Sequence, residues 1–199
     1  MADISASMVK ALREKSGAGI MDCKEALASC DGDMEKAVDF LRKKGLATAA
    51  KRAGRATSEG TIQSYIHMGG KIGVMVEVDC ETDFVAKTDD FVEFAKNLAM
   101  HIAATNPVGI APEDVPEDVL VREKEIYRAQ ALEMGKPEKM IDKIVEGKLN
   151  KFFKDSCLLN QAYVKDPDKT INDYLNEVIA KTGEKITVKR FARFQVGAE

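Results

Sequence analysis

The chain has 199 residues, 45% apolar and 32% charged, so it has the means to bury a core and is not of disordered composition. Its 30 Lys and Arg stand against 33 Asp and Glu, a formal charge of −3, which argues against a nucleic-acid binder held by bulk charge. No stretch approaches the roughly 18 consecutive apolar residues of a membrane span, and the opening Met-Ala-Asp-Ile-Ser is neither a basic leader nor an apolar signal core, so a cytoplasmic protein is expected.

Residues 1–54 predict three short helices. Ile4, Met8, Val9 and Leu12 recur at helical spacing behind Ser5, a good N-cap. Gly17-Ala18-Gly19 stops that helix, and a second follows over about Met21 to Cys30. Asp31-Gly32-Asp33 is a turn whose last residue caps a third helix with Met34, Ala37, Val38 and Leu41 on one stripe, and Gly45 reads as its C′ residue. Such a minimal bundle resembles a ubiquitin-associated domain. Lys51-Arg52-Ala53-Gly54-Arg55-Ala56 reads as a solvated interdomain hinge, since three charges without aromatic neighbours hold phosphate weakly.

The period then changes. Ile62 and Ile66, then Ile72, Val74, Val76 and Val78, alternate on either side of Gly69-Gly70 and predict a β-hairpin. A helix over about Asp89 to Ala104 follows, with Phe91, Phe94, Ala95, Leu98 and Ile102 on one face and Thr88 as cap, and Asn106-Pro107 ends it. From 113 to about 160 two helices succeed each other without a strand. Pro116 and Gly135 bracket the first, Pro137 opens the second, and Ile141, Ile144, Val145, Leu149 and Phe152 make a narrow stripe, as in a projecting antiparallel coiled-coil hairpin. Asp166-Pro167 closes it. A helix over about Thr170 to Lys181 precedes a strand from Ile186 to Val196 with Ile186, Val188, Ala192 and Phe194 facing one way. The fold class is therefore α+β: a three-helix bundle (1–54), a core of hairpin and helix (55–112), the helical hairpin (113–166), and the rest of the core (167–199), with helices over an antiparallel sheet.

Little of this suggests covalent chemistry. Cys23 and Cys30 would lie about 10 Å apart along one helix, Cys80 and Cys157 are isolated, and no C-x-x-C occurs, so reduced packed thiols are expected. Glu77, Asp79, Glu81 and Asp83 crowd into seven residues but lack the spacing and central glycine of a calcium loop; Glu77 and Asp79 fit the solvent face of a strand. Gly17-Ala18-Gly19 is too short for a phosphate cradle. His67 and His101 have no Ser or Cys partner at nucleophile spacing; His67 is expected to be exposed at the hairpin end and His101 structural. No metal, no cofactor and no enzymatic activity are expected. Thr82-Asp83-Phe84-Val85-Ala86-Lys87 is unusual in placing a Phe-Val pair in a polar loop between strand and helix. Phe84 either tucks back into its own core or serves as an anchor for a partner's pocket.

Three longer stretches resemble one family. Leu12-Arg13-Glu14-Lys15-Ser16-Gly17-Ala18-Gly19-Ile20-Met21-Asp22-Cys23-Lys24 is similar to the N-terminal signature of bacterial-type elongation factor Ts. Glu81 to Lys87, after Val-Asp-Cys, resembles that family's hallmark loop, and Lys151-Phe152-Phe153-Lys154-Asp155, Leu158-Leu159-Asn160-Gln161 and Tyr163-Val164-Lys165-Asp166-Pro167 its late signature. The resemblance implies a guanine-nucleotide exchange factor for elongation factor Tu. Its loop, with Asp83 and Phe84 at the tip and Thr82 and Val85 at the ends, would enter the GTPase domain, disturb the magnesium site there and let GDP escape. Ile20 and Met21 would grip the same domain from the bundle, although many relatives have Met at the first of these positions. Ser64-Tyr65-Ile66-His67 resembles a second contact, making His67 a further partner-binding candidate. Long members carry two core units and this chain one, which implies a homodimer, supported by Phe191 and Phe194 lying on opposite faces of a strand. No direct nucleic-acid or membrane partner is expected. The rival reading is a docking scaffold built on the bundle, which would lose all function without it, whereas an exchange factor would keep weakened activity.

Overall fold

The computed structural model describes residues 4–198, and its first elements follow local capping signals. Helix α1 (Ala6–Ser16) starts at Ser5, whose side chain accepts from the Met8 amide, and stops at Gly17 in the left-handed region (φ +67°), whose amide returns to the Arg13 carbonyl. Helix α2 (Ile20–Ser29) follows Gly19. Helix α3 (Met34–Arg52) is capped by Asp33, which accepts from the amides of Glu35 and Lys36. Leu12, Cys23, Ala26, Leu27, Ala37 and Leu41 form one buried cluster of the three helices. Each fully buried leucine there contributes on the order of 2 kcal/mol.

Strands β1 (Glu59–Ile66), β2 (Ile72–Cys80) and β5 (Ile186–Gln195) form a sheet in the order β1-β2-β5. The other helices are α4 (Asp83–Ala86), α5 (Asp89–Thr105), α6 (Glu117–Glu133), α7 (Glu138–Ser156) and α8 (Ile171–Thr182), and β3 (Ala162–Tyr163) pairs antiparallel with β4 (Asp166–Thr170). The mixture of helices with small antiparallel sheets is α+β. The chain divides into two compact units. One comprises the chain up to Ser64, Met75–Asn97 and Asp173–Phe191; the other comprises Tyr65–Val74, Leu98–Asn172 and the chain from Ala192.

In the first unit Val76, Val78 and Cys80 of β2, Phe91, Phe94 and Ala95 of α5, Val178 and Ile179 of α8, and Ile186 and Val188 of β5 are buried. Phe94 meets the Tyr174 ring edge-on at 5.0 Å. The bundle is fastened to this unit's core by Arg42, 2.6 Å from Asp173. In the second unit α6 and α7 form a helical hairpin around Ala131, Ile141 and Val145, flanked by Tyr127, Ile144 and Leu149. His101 of α5 is fully buried. Its Nδ1 accepts from the Val164 amide (3.4 Å), so Nε2 carries the proton and donates to Gln161 Oε1 (3.0 Å), and Gln161 Nε2 donates to the Asp155 carbonyl (2.9 Å). Burial holds the imidazole below its ordinary pKa.

Several expectations need correction. Gly45 does not end α3, which runs on to Arg52. It is a point of close approach, where an added Cβ would lie 3.6 Å from the Ala180 Cβ of α8. The basic segment after it is tied down rather than a free hinge: Arg55 Nη1 is 2.9 Å from Glu81, and Lys185 Nζ donates to the carbonyls of Ala53 and Arg55. On β5, Ile186 and Val188 are buried, but Ala192 and Phe194 are exposed while Phe191 and Arg193 are partly covered. The covered positions slip by one residue between Val188 and Phe191, as across a β-bulge. Asp166-Pro167 begins β4, part of a small hairpin that the sequence reading leaves out.

Candidate functional site

Thr82 to Val85 are a capped helical turn rather than a loop. Strand β2 ends at Cys80, whose buried thiol donates to the Thr82 carbonyl (3.1 Å) and is pushed up to about 11 by burial. Thr82 is the N-cap of α4, and its hydroxyl oxygen accepts from the Val85 amide at 3.4 Å. The turn closes with the Thr88 amide on the Val85 carbonyl (3.0 Å), and the Thr88 side chain in turn accepts from the Phe91 amide at the start of α5.

The base of the turn is held from the segment before β5. The Glu184 carboxylate accepts from the amides of Glu81 (3.1 Å) and Thr82 (3.0 Å) and from the Thr82 hydroxyl (2.7 Å). Glu81 returns the arrangement, accepting from the Lys185 amide at 2.7 Å and from Arg55 at 2.9 Å, and these two donors hold its carboxyl below the ordinary range. Two carboxylates thus tie the backbone at 81–82 to the backbone at 184–185 with charge-assisted bonds, which are stronger than neutral ones.

On this base the side chains divide sharply. Val85 is buried, whereas Phe84 is 80% exposed. The large aromatic ring therefore does not return to its own core. Asp83 and Lys87, one helical turn apart, pair at 2.7 Å beside the ring, and Lys87 lowers the Asp83 pKa. Held open by a buried neighbour and a clamped base, Phe84 presents an apolar surface from a polar rim.

The other candidates lie elsewhere. Ile20 and Met21 open α2 and are 54% and 75% exposed. Ile20 lines a groove of about 370 Å³ with Ile4, Val9, Lys10, Arg13 and Lys24. Among the described residues no hydrogen bond or ion pair joins Ile20 or Met21 to the Thr82–Val85 turn. His67 belongs to the other unit, exposed at the hairpin turn with Nδ1 3.1 Å from the Tyr65 hydroxyl and its amide on the Ile72 carbonyl. Glu77 pairs with Arg190, and among the described residues no cluster of His, Cys, Asp and Glu could hold a metal ion. The clamp residues Glu184, Lys185 and Arg55 are the ones that sequence reasoning misses, because their partners are more than a hundred residues away, or 26 for Arg55, and nothing local marks them.

A family model described as elongation factor TS matches residues 35–198. Curated proteins named elongation factor Ts match along nearly the whole chain. That of Desulfosudis oleivorans is 75% identical over 197 residues, 99% of this chain and 100% of its own. That of Syntrophobacter fumaroxidans is 64% identical over 197 residues, 99% of this chain and 98% of its own, and that of Moorella thermoacetica 62% over 194 residues, 98% and 96%. The family model begins inside α3, but the relatives extend the match across α1 and α2. With its three signature stretches falling on the α1–α2 turn, the clamped Phe84 turn and the end of α7, the chain belongs to the elongation factor Ts family and acts in translation elongation.

Proposed function

We propose that the chain is a guanine-nucleotide exchange factor for elongation factor Tu and that Thr82, Asp83, Phe84 and Val85 are its working element. The observation that carries the reading is Phe84, an aromatic ring 80% exposed on a turn whose backbone is clamped. The turn enters the GTPase domain, disturbs its magnesium site and phosphate contacts, and lowers the barrier to GDP release. The magnesium belongs to the partner, and this chain performs no covalent step. Ile20 and Met21 grip the GTPase domain from a ubiquitin-associated-like bundle (1–54). The core (55–112 and 167–199) carries the wedge, and α6 and α7 are an antiparallel coiled coil (113–166). His67 adds a second contact, and the exchange takes place in the cytoplasm.

The working unit is a homodimer. Apolar side chains stand exposed on strands in each unit: Ile62 and Met75 in the first, Ile66 and Phe194 in the second. A second copy packed sheet to sheet covers them and supplies the second core unit. The decisive experiment is release of a fluorescent GDP from elongation factor Tu, with and without the protein. Release at the spontaneous rate at every concentration of the chain would sink the reading.

A further inference from the structure

The helical hairpin carries a charged face that the exchange reading does not use. On α7 the buried seam runs through Ile141 and Val145 with Leu149 beside them. At about 100° per residue, Lys139, Lys143, Lys151 and Lys154 fall within an arc of about 120° on the side away from that seam. Gly147 and Asn150 lie in the same arc, and no carboxylate does: Glu138, Asp142 and Glu146 form a separate row beside it. All four lysines are exposed, and among the described residues none forms an ion pair. Lys10, Lys36, Lys44, Lys87 and Lys181 each lie beside a carboxylate, and among the described residues other lysines without an ion pair, such as Lys43, Lys51, Lys71 and Lys189, are spread over α3, the β1–β2 turn and β5 rather than aligned on one face. The row is about 22 Å long at the helical rise.

We propose that this lysine ridge of α7 is a docking surface for the phosphate backbone of RNA. The ridge has almost no apolar component, Met140 at its edge excepted, so nothing in it would anchor a protein partner by burial. Exposed lysine–carboxylate pairs are individually worth little. A polyanion with condensed counterions is the partner for which isolated lysines suffice, because each phosphate neutralised releases a counterion. With no aromatic side chain in the arc, bases are not stacked and recognition is independent of sequence. The acidic balance of the whole chain does not oppose this, since screening confines electrostatics to about 8–10 Å at physiological salt and the ridge is locally uniform. The expectation of no nucleic-acid partner rests on total charge alone, and the proposal differs from it because it rests on the segregation of charge on one helix.

The test is anisotropy of a short fluorescent RNA hairpin titrated with the intact protein at several salt concentrations. Four phosphate contacts give a log–log salt slope of about −2.8 to −3.6, a loss of about 50- to 150-fold between 50 and 200 mM salt. The K139Q/K143Q/K151Q/K154Q variant, which leaves the seam and helix propensity intact, should lose about 0.7–0.9 of that slope for each lysine and so nearly all of it. A variant with the same charge removed elsewhere, K43Q/K51Q/K71Q/K189Q, should bind as the parent does. Three results would overturn the proposal: no binding by the parent at low salt, equal losses in the two variants, or poly-glutamate binding the ridge more tightly than RNA does, which would mark an acidic protein face instead.

Discussion

Phe84→Ala separates the fold from the activity. A fully buried phenylalanine removes about 150–250 Å² from water, but Phe84 is 80% exposed, so the native chain gains from about a fifth of that, some 30–50 Å². At about 25 cal/mol per Å² the loss is about 0.7–1.3 kcal/mol, partly offset by the better helix propensity of alanine, about 0.5 kcal/mol. A net cost under about 1 kcal/mol moves the melting temperature of a chain this size by no more than about 4 °C. If the ring is the wedge, the variant forfeits an aromatic anchor in the partner, and such anchors cost about 2 kcal/mol or more when truncated. That slows GDP release about 30-fold. Circular dichroism and thermal melting give the first quantity, and fluorescent GDP release from elongation factor Tu gives the second. A melting temperature lowered by 10 °C or so would return Phe84 to the core, and unchanged release from a stable variant would remove it from the mechanism.

The other predictions test the surroundings. Ile20 and Met21, both exposed, can be changed together to serine without loss of fold, and the variant should leave elongation factor Tu faster while still reaching the parent's maximal exchange rate; unchanged dissociation would place the grip elsewhere. Glu184→Ala removes three hydrogen bonds to Glu81 and Thr82, so amide hydrogen exchange at Thr82 should accelerate and nucleotide release should slow although Phe84 is untouched; unaltered protection would mean the clamp is dispensable. His101 has a folded pKa below its ordinary 6.5, so its contribution to stability is complete above that pH and is lost as pH falls toward the folded value; melting at pH 7 and pH 5 should show a drop that His101→Gln lessens. Light scattering at micromolar concentration should give twice the chain mass of 21.8 kDa, and Phe194→Glu should halve it; a single-chain mass for the fully active parent would refute the dimer.

What the sequence made legible was whatever is local. Ser5, Gly17 and Asp33 mark their helix ends through bonds to residues two to four positions away, so those ends are legible in the sequence. Thr88 was likewise visible as the cap of α5. Gly45 misled because glycine has two uses: it terminates helices by adopting positive φ, and it permits close packing by lacking a Cβ, and only the presence of Ala180 tells them apart. The β3–β4 hairpin has no signature in the sequence because a two-residue strand has no period. The alternation along β5 failed past Val188 because a one-residue slip reverses which face each later side chain occupies. At the site, the resemblance singles out Phe84, whereas its exposure depends on packing that no local pattern encodes. The Glu184 clamp could not be read at all, since its bonds span 102 and 103 positions.

The clamp also bears on how an exchange factor divides its binding energy. A protein that binds its partner equally well with and without nucleotide shifts nothing, however tightly it binds. To weaken GDP, it must favour the nucleotide-free form, and GDP must then weaken the factor by the same ratio. A 1000-fold acceleration takes about 4 kcal/mol off the barrier to release, more than one aromatic anchor of about 2 kcal/mol supplies. A mobile wedge would fall further short, because each side chain ordered on binding costs about 0.5–1.5 kcal/mol. The bonds from Glu184 and the buried Val85 have ordered this turn in advance, so a contact made by Phe84 as the proposed wedge would spend little of its energy on immobilising its own backbone. On the proposed reading Ile20 and Met21 would contribute on the other side of the division. Exposed on α2 rather than on the clamped turn, they would hold the partner in either nucleotide state and set how long the wedge has to act. On this reading maximal rate belongs to Phe84 and its clamp and residence time to the bundle, so a double variant of Ile20 and Phe84 should lose affinity and maximal rate independently. Strong coupling between the two losses would mean that the bundle and the wedge sense the same state of the partner.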